Sequence, residues 1–323
     1  MSVVGKKYVA LYNATLRYCE RRGLISQLKR AMVIAEHHRF KKQDISKEGL
    51  HLLDAVHCLY DRKRTEYFLK EIDLQVSKDS NVLEAGIGTG ILSFYAAMRG
   101  RRVVGYEINK DIYALARSIE SALLDEGILE NPPLLKLQDA TKVRSDGKID
   151  VLINENVYTG MFFEKQVQIA RCLKRYLARD GRMIPSGMRS YIALGMTRFP
   201  RKARHAELFV PLHEKGMRFR QATAFKRYDD LDFKSNENPG IDVELQMPIR
   251  MGGMINSVLI YTEVVMPSGK VIRRNATTFF NNDIIVAHTP TVRARKGEIA
   301  RLRIAYPYGA QPEDARLEAS IMA

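Results

Sequence analysis

The sequence predicts an α/β fold. Helices come first, a parallel sheet with flanking helices follows, and an antiparallel β region closes the chain. Three observations predict it. Apolar runs alternate with amphipathic stretches between residues 81 and 178. The segment Val82-Leu-Glu-Ala-Gly-Ile-Gly-Thr-Gly-Ile-Leu-Ser93 joins a strand to a helix through three glycines. Helical periodicity fades after Arg182-Met-Ile-Pro185-Ser-Gly187. The expected organisation is a helical segment over 1–75, a nucleoside-binding domain over 76–185 and a β-rich domain over 186–323.

Tyr8, Leu11, Tyr12, Leu16 and Cys19 recur at helical spacing until Gly23. Leu28, Met32, Ile34 and Ala35 suggest a second short helix; Leu52, Leu53, Val56, Leu59 and Tyr60, then 65–72, suggest more. Next come strand 81–85, helix 90–98, strand 102–107, helix 110–125, a Pro132-Pro133 break, strands 134–138 and 149–154, and helix 164–178. This βαβ rhythm implies a parallel sheet, whose ligands bind off the carboxyl ends of the strands. Beyond 187, strands are expected over 191–194, 241–245, 258–265, 270–280, 284–287 and 300–305, with a hairpin turn in Val265-Met-Pro-Ser-Gly-Lys-Val271.

Composition narrows the function. The 323 residues suffice for two domains, and 46% apolar content without a long apolar run predicts no membrane span. No signal h-region follows Lys6-Lys7. Three scattered cysteines, Cys19, Cys58 and Cys172, form neither a disulfide framework nor a metal cluster, which points to a reducing cytoplasm. The histidines, His37-His38 included, show no metal spacing, so no metal is expected. Net charge is +15, concentrated in residues 1–42 and 198–227. Such segments suit nucleic acid or an acidic partner, but a solvated basic surface explains them better, since no base-stacking pattern accompanies them.

The glycine loop limits the ligand. A dinucleotide fingerprint needs its third glycine at position 91, where this chain has Ile; here it comes one position early, at Gly90. No Lys-Ser/Thr pair follows for a phosphate cradle. Gly86, Gly88 and Gly90 preceded by the acid Glu84 suit a ligand with a ribose and an amino-acid end but no phosphates, which is S-adenosylmethionine. Glu107, at a strand end 21 residues after Gly86, would accept from ribose hydroxyls of this cofactor or of NAD. Asp139, at the next strand end, either accepts from an adenine amino group or caps a turn. Glu155 and Glu164 stand nine residues apart between a strand and a helix; they form one acidic pocket, or Glu164 merely favours a helix N-terminus.

Here the chain resembles the protein arginine methyltransferases, well over about 58–187 and loosely beyond. Asp61-Arg-Lys-Arg64-Thr65 resembles that family's Asp-x-x-Arg-Thr element, which implies that Arg64 binds the cofactor carboxylate. The glycine loop and Glu107 match its cofactor site, and Glu155 and Glu164 match its double-glutamate loop. Gly181-Arg-Met-Ile-Pro185 resembles its lead-in to a β-barrel. The resemblance implies a Rossmann-like methyltransferase domain followed by a barrel-like domain that covers the acceptor or forms a homodimer. The chain departs from the family between the glutamates, where Asn156-Val-Tyr-Thr159 replaces Trp-Met-Gly-Tyr. The family's Thr-His-Trp loop falls at Phe279-Phe280-Asn281, with His288 off register. The cleft tyrosines have no counterpart close before Arg64; Tyr8 and Tyr12 lie over fifty residues upstream. The arm, about 198–225, is short and basic.

The expected activity is N-methylation of a protein arginine, a guanidino compound or another cationic nitrogen, with Glu155 and Glu164 as the acceptor clamp. Arg64, Glu84, Gly86, Gly88, Gly90, Glu107 and Asp139 are the expected cofactor residues. Methylation of a small metabolite or RNA, and a non-catalytic cofactor-binding relative, are the competing readings.

Overall fold

The structure is a computed structural model and describes residues 3–38, 51–144, 147–199, 205–208, 219–277 and 282–322. Helices α1 (Val3–Arg21) and α2 (Leu24–His38) are separated by Gly23, at φ 72°. Helices α3 (Leu52–Tyr60) and α4 (Arg62–Gln75) are separated by Asp61. Its carboxylate accepts from the Arg64 N–H at 3.1 Å and caps α4, so this helix starts earlier than its apolar pattern suggests. The side chains of His37 and His38 lie outside the described residues.

The middle of the chain forms a parallel sheet of β1 (Asn81–Ala85), β2 (Arg102–Glu107), β3 (Leu134–Leu137), β4 (Ile149–Ile153) and β5 (Leu177–Ile184), in the order β3-β2-β1-β4-β5. Helices α5 (Ile91–Ala97), α6 (Lys110–Asp125) and α7 (Gln166–Leu173) connect strands. Helices on both faces explain why the central strands β1, β2 and β4 are almost wholly buried. Strand order reverses between β1 and β4, which opens a crevice at their carboxyl ends.

Two expectations are corrected. The helix expected over 164–178 ends at Leu173; a single 3-10 turn, Lys174–Tyr176, leads into β5. That strand lies at the sheet edge, with Arg179, Asp180 and Arg182 exposed, so it lacks the apolar run of its neighbours. The strand expected over 270–280 is only β12 (Val271–Ile272), followed by turns; residues 278–281 lie outside the described residues.

From Gly187 onward the described strands are antiparallel, in two sheets that make a half-barrel. One contains β6 (Gly187–Met196), β7 (His205–Leu208), β8 (Arg220–Gln221), β9 (Lys226–Asp232), β11 (Gly253–Val265), β12 and β13 (Asp283–Ala294). The other contains β10 (Gly240–Pro248), β14 (Ile299–Pro307) and β15 (Arg316–Ile321). Of the basic arm expected over 198–225, residues 200–204 and 209–218 lie outside the described residues, so the structure describes only part of it. No described helix is long and apolar enough to cross a membrane.

Candidate active site

A cavity of about 500 Å³ opens off the carboxyl ends of β1, β2 and β4. Arg64, Glu84, Gly86, Gly88, Glu107, Asp139, Glu155 and Glu164 all line it. Residues from separate segments of the chain therefore converge on one volume.

The glycine loop forms its floor. Gly86, Gly88 and Gly90 have φ of 80°, 54° and 84°, which glycine adopts without strain. The three differ in what a side chain would meet. At Gly88 a Cβ would meet nothing within 4 Å, whereas at Gly86 it would stand 2.6 Å from Asn156 Oδ1. Gly90 lies outside the lining: it is the N-cap of α5, and a Cβ there would collide with the Phe94 ring. The third glycine serves the turn and its packing against Phe94.

Four carboxylates differ sharply in their surroundings. Glu84 is fully buried beneath the loop and accepts from Ser93 Oγ. Burial pushes its pKa up to about 8 against that hydrogen bond. Glu107 accepts from the N–H groups of Ile108 and Asn109 at 3.0 Å each and of Gly88 at 3.3 Å. Burial raises its pKa, and these donors oppose the rise. Asp139 Oδ1 accepts from the Thr141 N–H at 2.9 Å and its hydroxyl at 2.7 Å. Burial raises the Asp139 pKa, but Thr141 with Lys165 and Lys142 outweighs it, and the net shift is downward. Asp139 is therefore a cap and a cavity wall together. Burial, and then the charges of Asp54 and Glu107, raise Glu164 to about 7, with Lys165 opposing.

Arg64 is buried and forms an ion pair with Glu155, itself largely covered; its Nη1 donates to the Cys58 carbonyl at 3.3 Å. The residue expected to hold a cofactor and the residue expected to hold an acceptor thus meet directly. With both side chains largely covered, each charge offsets the other's desolvation.

The double-glutamate loop is held from both sides. Toward the parallel sheet, Asn156 Nδ2 donates to the Ala85 carbonyl and to Asn154 Oδ1, both at 2.8 Å, while its N–H donates to Gln166 Oε1 at 2.9 Å. Toward the half-barrel, the Gly160 N–H donates to Thr262 Oγ1 at 2.8 Å, and the Tyr306 hydroxyl donates to the Gly160 carbonyl at 2.7 Å. The Phe163 N–H donates to the Ala310 carbonyl at 2.9 Å. Met161 and Phe163 both have positive φ, 59° and 60°. Such strain persists where the surroundings over-determine it.

Sequence reasoning missed several lining residues. Ala55, Cys58 and Leu59 place α3 against the cavity, and Gly309 and Gln311 reach it from the segment before β15. Burial pushes the Cys58 thiol up, which disfavours a thiolate nucleophile. Asn156 was legible only as a departure from a motif. Tyr8 and Tyr12 are not among the lining residues; the Tyr12 hydroxyl donates to the Leu59 carbonyl at 3.1 Å. His288 is buried, with Nδ1 3.1 Å from the Pro290 carbonyl, and lies outside the lining; Phe279, Phe280 and Asn281 fall outside the described residues. Among the described residues no group of His, Cys, Asp and Glu could hold a metal ion.

Comparison with known proteins gives the following. No family model matches the chain. It is 30% identical over 136 residues to the ribosomal protein arginine N-methyltransferase rmt3 of Schizosaccharomyces pombe, covering 41% of this chain and 24% of that protein. It is 29% identical over 135 residues to an arginine N(omega)-methyltransferase of Streptomyces achromogenes, covering 41% of this chain and 37% of that one. An uncharacterized protein of Methanocaldococcus jannaschii is 28% identical over 138 residues, 42% of this chain and 51% of its own length. The chain thus spans about half or less of these curated relatives. The solved Trypanosoma brucei PRMT1 enzyme-prozyme heterotetrameric complex with AdoHcy has the same fold: TM-score 0.64 at 17% identity, covering 84% of this chain and 93% of that one.

Proposed function

We propose that this chain is an S-adenosylmethionine-dependent methyltransferase whose acceptor is a guanidino nitrogen. One observation carries the reading: Arg64, Glu107, Glu155 and Glu164 line a single cavity over the glycine loop. The residues fit the cofactor. Gly88 leaves room for close approach, Glu107 offers a carboxylate at the ribose position, Arg64 a cation for an amino-acid carboxylate, and Asp139 an acceptor for an adenine amino group. Glu84 then supports the loop from below through Ser93.

Bound there, the cofactor would supply an already activated methyl group. The protein's task is then mostly orientation. Glu155 and Glu164 suit a guanidinium, which two carboxylates hold in a planar fork. A cation beside Glu164 would bring its raised pKa down and leave it ionised. Arg64 steers Glu155 through their ion pair. The relatives named for arginine methylation support this acceptor class, and protein arginine and small guanidino compounds both belong to it. Self-association through the arm around 198–225 belongs to the same proposal, and light scattering on the purified chain tests it.

The main test is transfer of radiolabelled methyl from S-adenosylmethionine into protein, RNA and small-molecule fractions. Label is expected on guanidino nitrogen in the protein or small-molecule pool and lost in Glu155→Gln and Glu164→Gln, with cofactor binding retained. Turnover that survives both substitutions, or label confined to RNA, overturns the reading.

A further inference from the structure

Helix α4 carries Arg64 in its first turn and runs along the seam between the parallel sheet and the half-barrel. Arg64, Phe68 and Glu71 are spaced i, i+4 and i+7, so they share one face of the helix. All three are buried, and the Arg64 guanidinium lies 5.4 Å from the Phe68 ring centroid. Asp61 caps the near end of the helix through the Arg64 N–H. Asp73 ties the far end to the parallel-sheet domain: it accepts from the Tyr95 hydroxyl at 3.0 Å and pairs with Arg99 at 2.8 Å.

The half-barrel grips the same helix. Glu71 Oε1 accepts from the Ser268 N–H at 2.9 Å, and Oε2 from the Ser268 hydroxyl at 2.7 Å. Gln75 Nε2 adds a third bond to Glu71 at 2.9 Å. Ser268 sits at the tip of the turn between β11 and β12, where Gly269 takes φ 82°. Two residues on, Lys270 holds its ammonium 5.0 Å from the Tyr67 ring centroid. A buried glutamate two helical turns from the cavity therefore takes two of its three bonds from one exposed serine of the other domain.

We infer that Glu71 and Ser268 are positioning residues for Arg64. Their bonds fix the rotation of α4 about its axis, and that rotation aims the guanidinium into the cavity. A helix free to turn by about one part in ten of a circle would carry a group roughly 5–6 Å from its axis through several ångströms, enough to break a hydrogen bond. Neither residue lines the cavity, so the effect of the pair is confined to what Arg64 binds. The inference rests on the cofactor reading above, in which Arg64 takes the amino-acid carboxylate.

Calorimetry with two ligands tests it: S-adenosylhomocysteine, which carries that carboxylate, and 5′-methylthioadenosine, which has the same nucleoside without it. In Ser268→Ala and Glu71→Gln, affinity for S-adenosylhomocysteine is expected to fall about tenfold, the loss typical of a hydrogen bond to a charged group. Affinity for 5′-methylthioadenosine is expected to stay within about twofold. In an Arg64→Lys background, Ser268→Ala should cost either ligand little. Equal losses for both ligands, or none in a protein whose wild type binds S-adenosylhomocysteine, overturn the inference. A wild type that binds neither ligand overturns the cofactor reading instead.

Discussion

Alanine at Gly86 and alanine at Gly88 should have different costs, although both glycines have positive φ and both line the cavity. A left-handed backbone costs a non-glycine residue about 1–2 kcal/mol at either site. At Gly88 nothing more is added, because a Cβ meets nothing within 4 Å. At Gly86 the Cβ would stand 2.6 Å from Asn156 Oδ1 and 3.1 Å from its Nδ2. Asn156 must then move and give up its bonds to the Ala85 carbonyl and Asn154 Oδ1. Two such bonds are worth about 2 kcal/mol together. Gly86→Ala should therefore destabilise by about 3–4 kcal/mol against about 1–2 for Gly88→Ala. A double-mutant cycle isolates the cause. In an Asn156→Ala background those bonds are already lost, so Gly86→Ala should cost only the backbone term, leaving a coupling of about 2 kcal/mol. Equilibrium urea unfolding of the four proteins measures it. Additive effects, or equal costs at the two glycines, would refute the role of Asn156 as the wall behind the loop.

Other substitutions probe other parts of the site. Glu164 binds its proton more tightly folded, at about 7, than the ordinary 4.5 of an unfolded chain. Its contribution to stability is thus full below about 4.5 and is lost as pH rises through 7. The melting-temperature difference of Glu164→Gln over wild type should grow from about pH 5 to about pH 8, by scanning calorimetry; a flat difference counts against it. Tyr306→Phe deprives the Gly160 carbonyl of a donor and the Tyr228 hydroxyl of one partner, 2.8 Å away. A loss of about 1–3 kcal/mol in stability is expected, with turnover falling more than cofactor affinity in steady-state and binding assays. Asp283 is buried and takes a bidentate pair from Arg274, whose guanidinium also lies 4.9 Å and 5.0 Å from the Phe225 and Tyr261 ring centroids. Asp283→Asn should cost about 2 kcal/mol by urea unfolding, less than a fully buried pair because Arg274 is partly exposed, and leave cofactor affinity unchanged.

The readability of each element follows from how local its causes are. Helix α6 is legible to the residue, since Asn109 caps it by accepting from the N–H groups of Asp111 and Ile112. Strands β1 and β2 are legible because both faces are covered. Strands β9 and β15 are not: β9 reads Lys-Arg-Tyr-Asp-Asp-Leu-Asp and buries only Tyr228 and Leu231, while β15 buries only Leu317 and Ala319. Period-2 patterns that short are lost among charges. At the site the same rule holds. Gly86, Gly88, Glu107 and Asp139 sit at strand ends, where a short window shows both the turn and the acid. Asn156 acts on a glycine 70 positions earlier, and no local pattern announces that distance.

The N-terminal tyrosines show the same effect of distance at its strongest. Their separation of over fifty residues from Arg64 set them apart from any cleft, and the structure brings them back without making them part of the cavity. Tyr12 bonds the Leu59 carbonyl at the end of α3, and the Arg62 guanidinium lies 5.7 Å from its ring centroid at the start of α4. Tyr8 lies 6.3 Å from Tyr12 between ring centroids. They brace the joint between two helices, one lining the cavity through Ala55, Cys58 and Leu59, the other through Arg64. A long side chain at the right spacing thus supports the site from behind its walls. What decides between wall and brace is the packing of α1 against α3, a contact between segments that only the folded chain brings together.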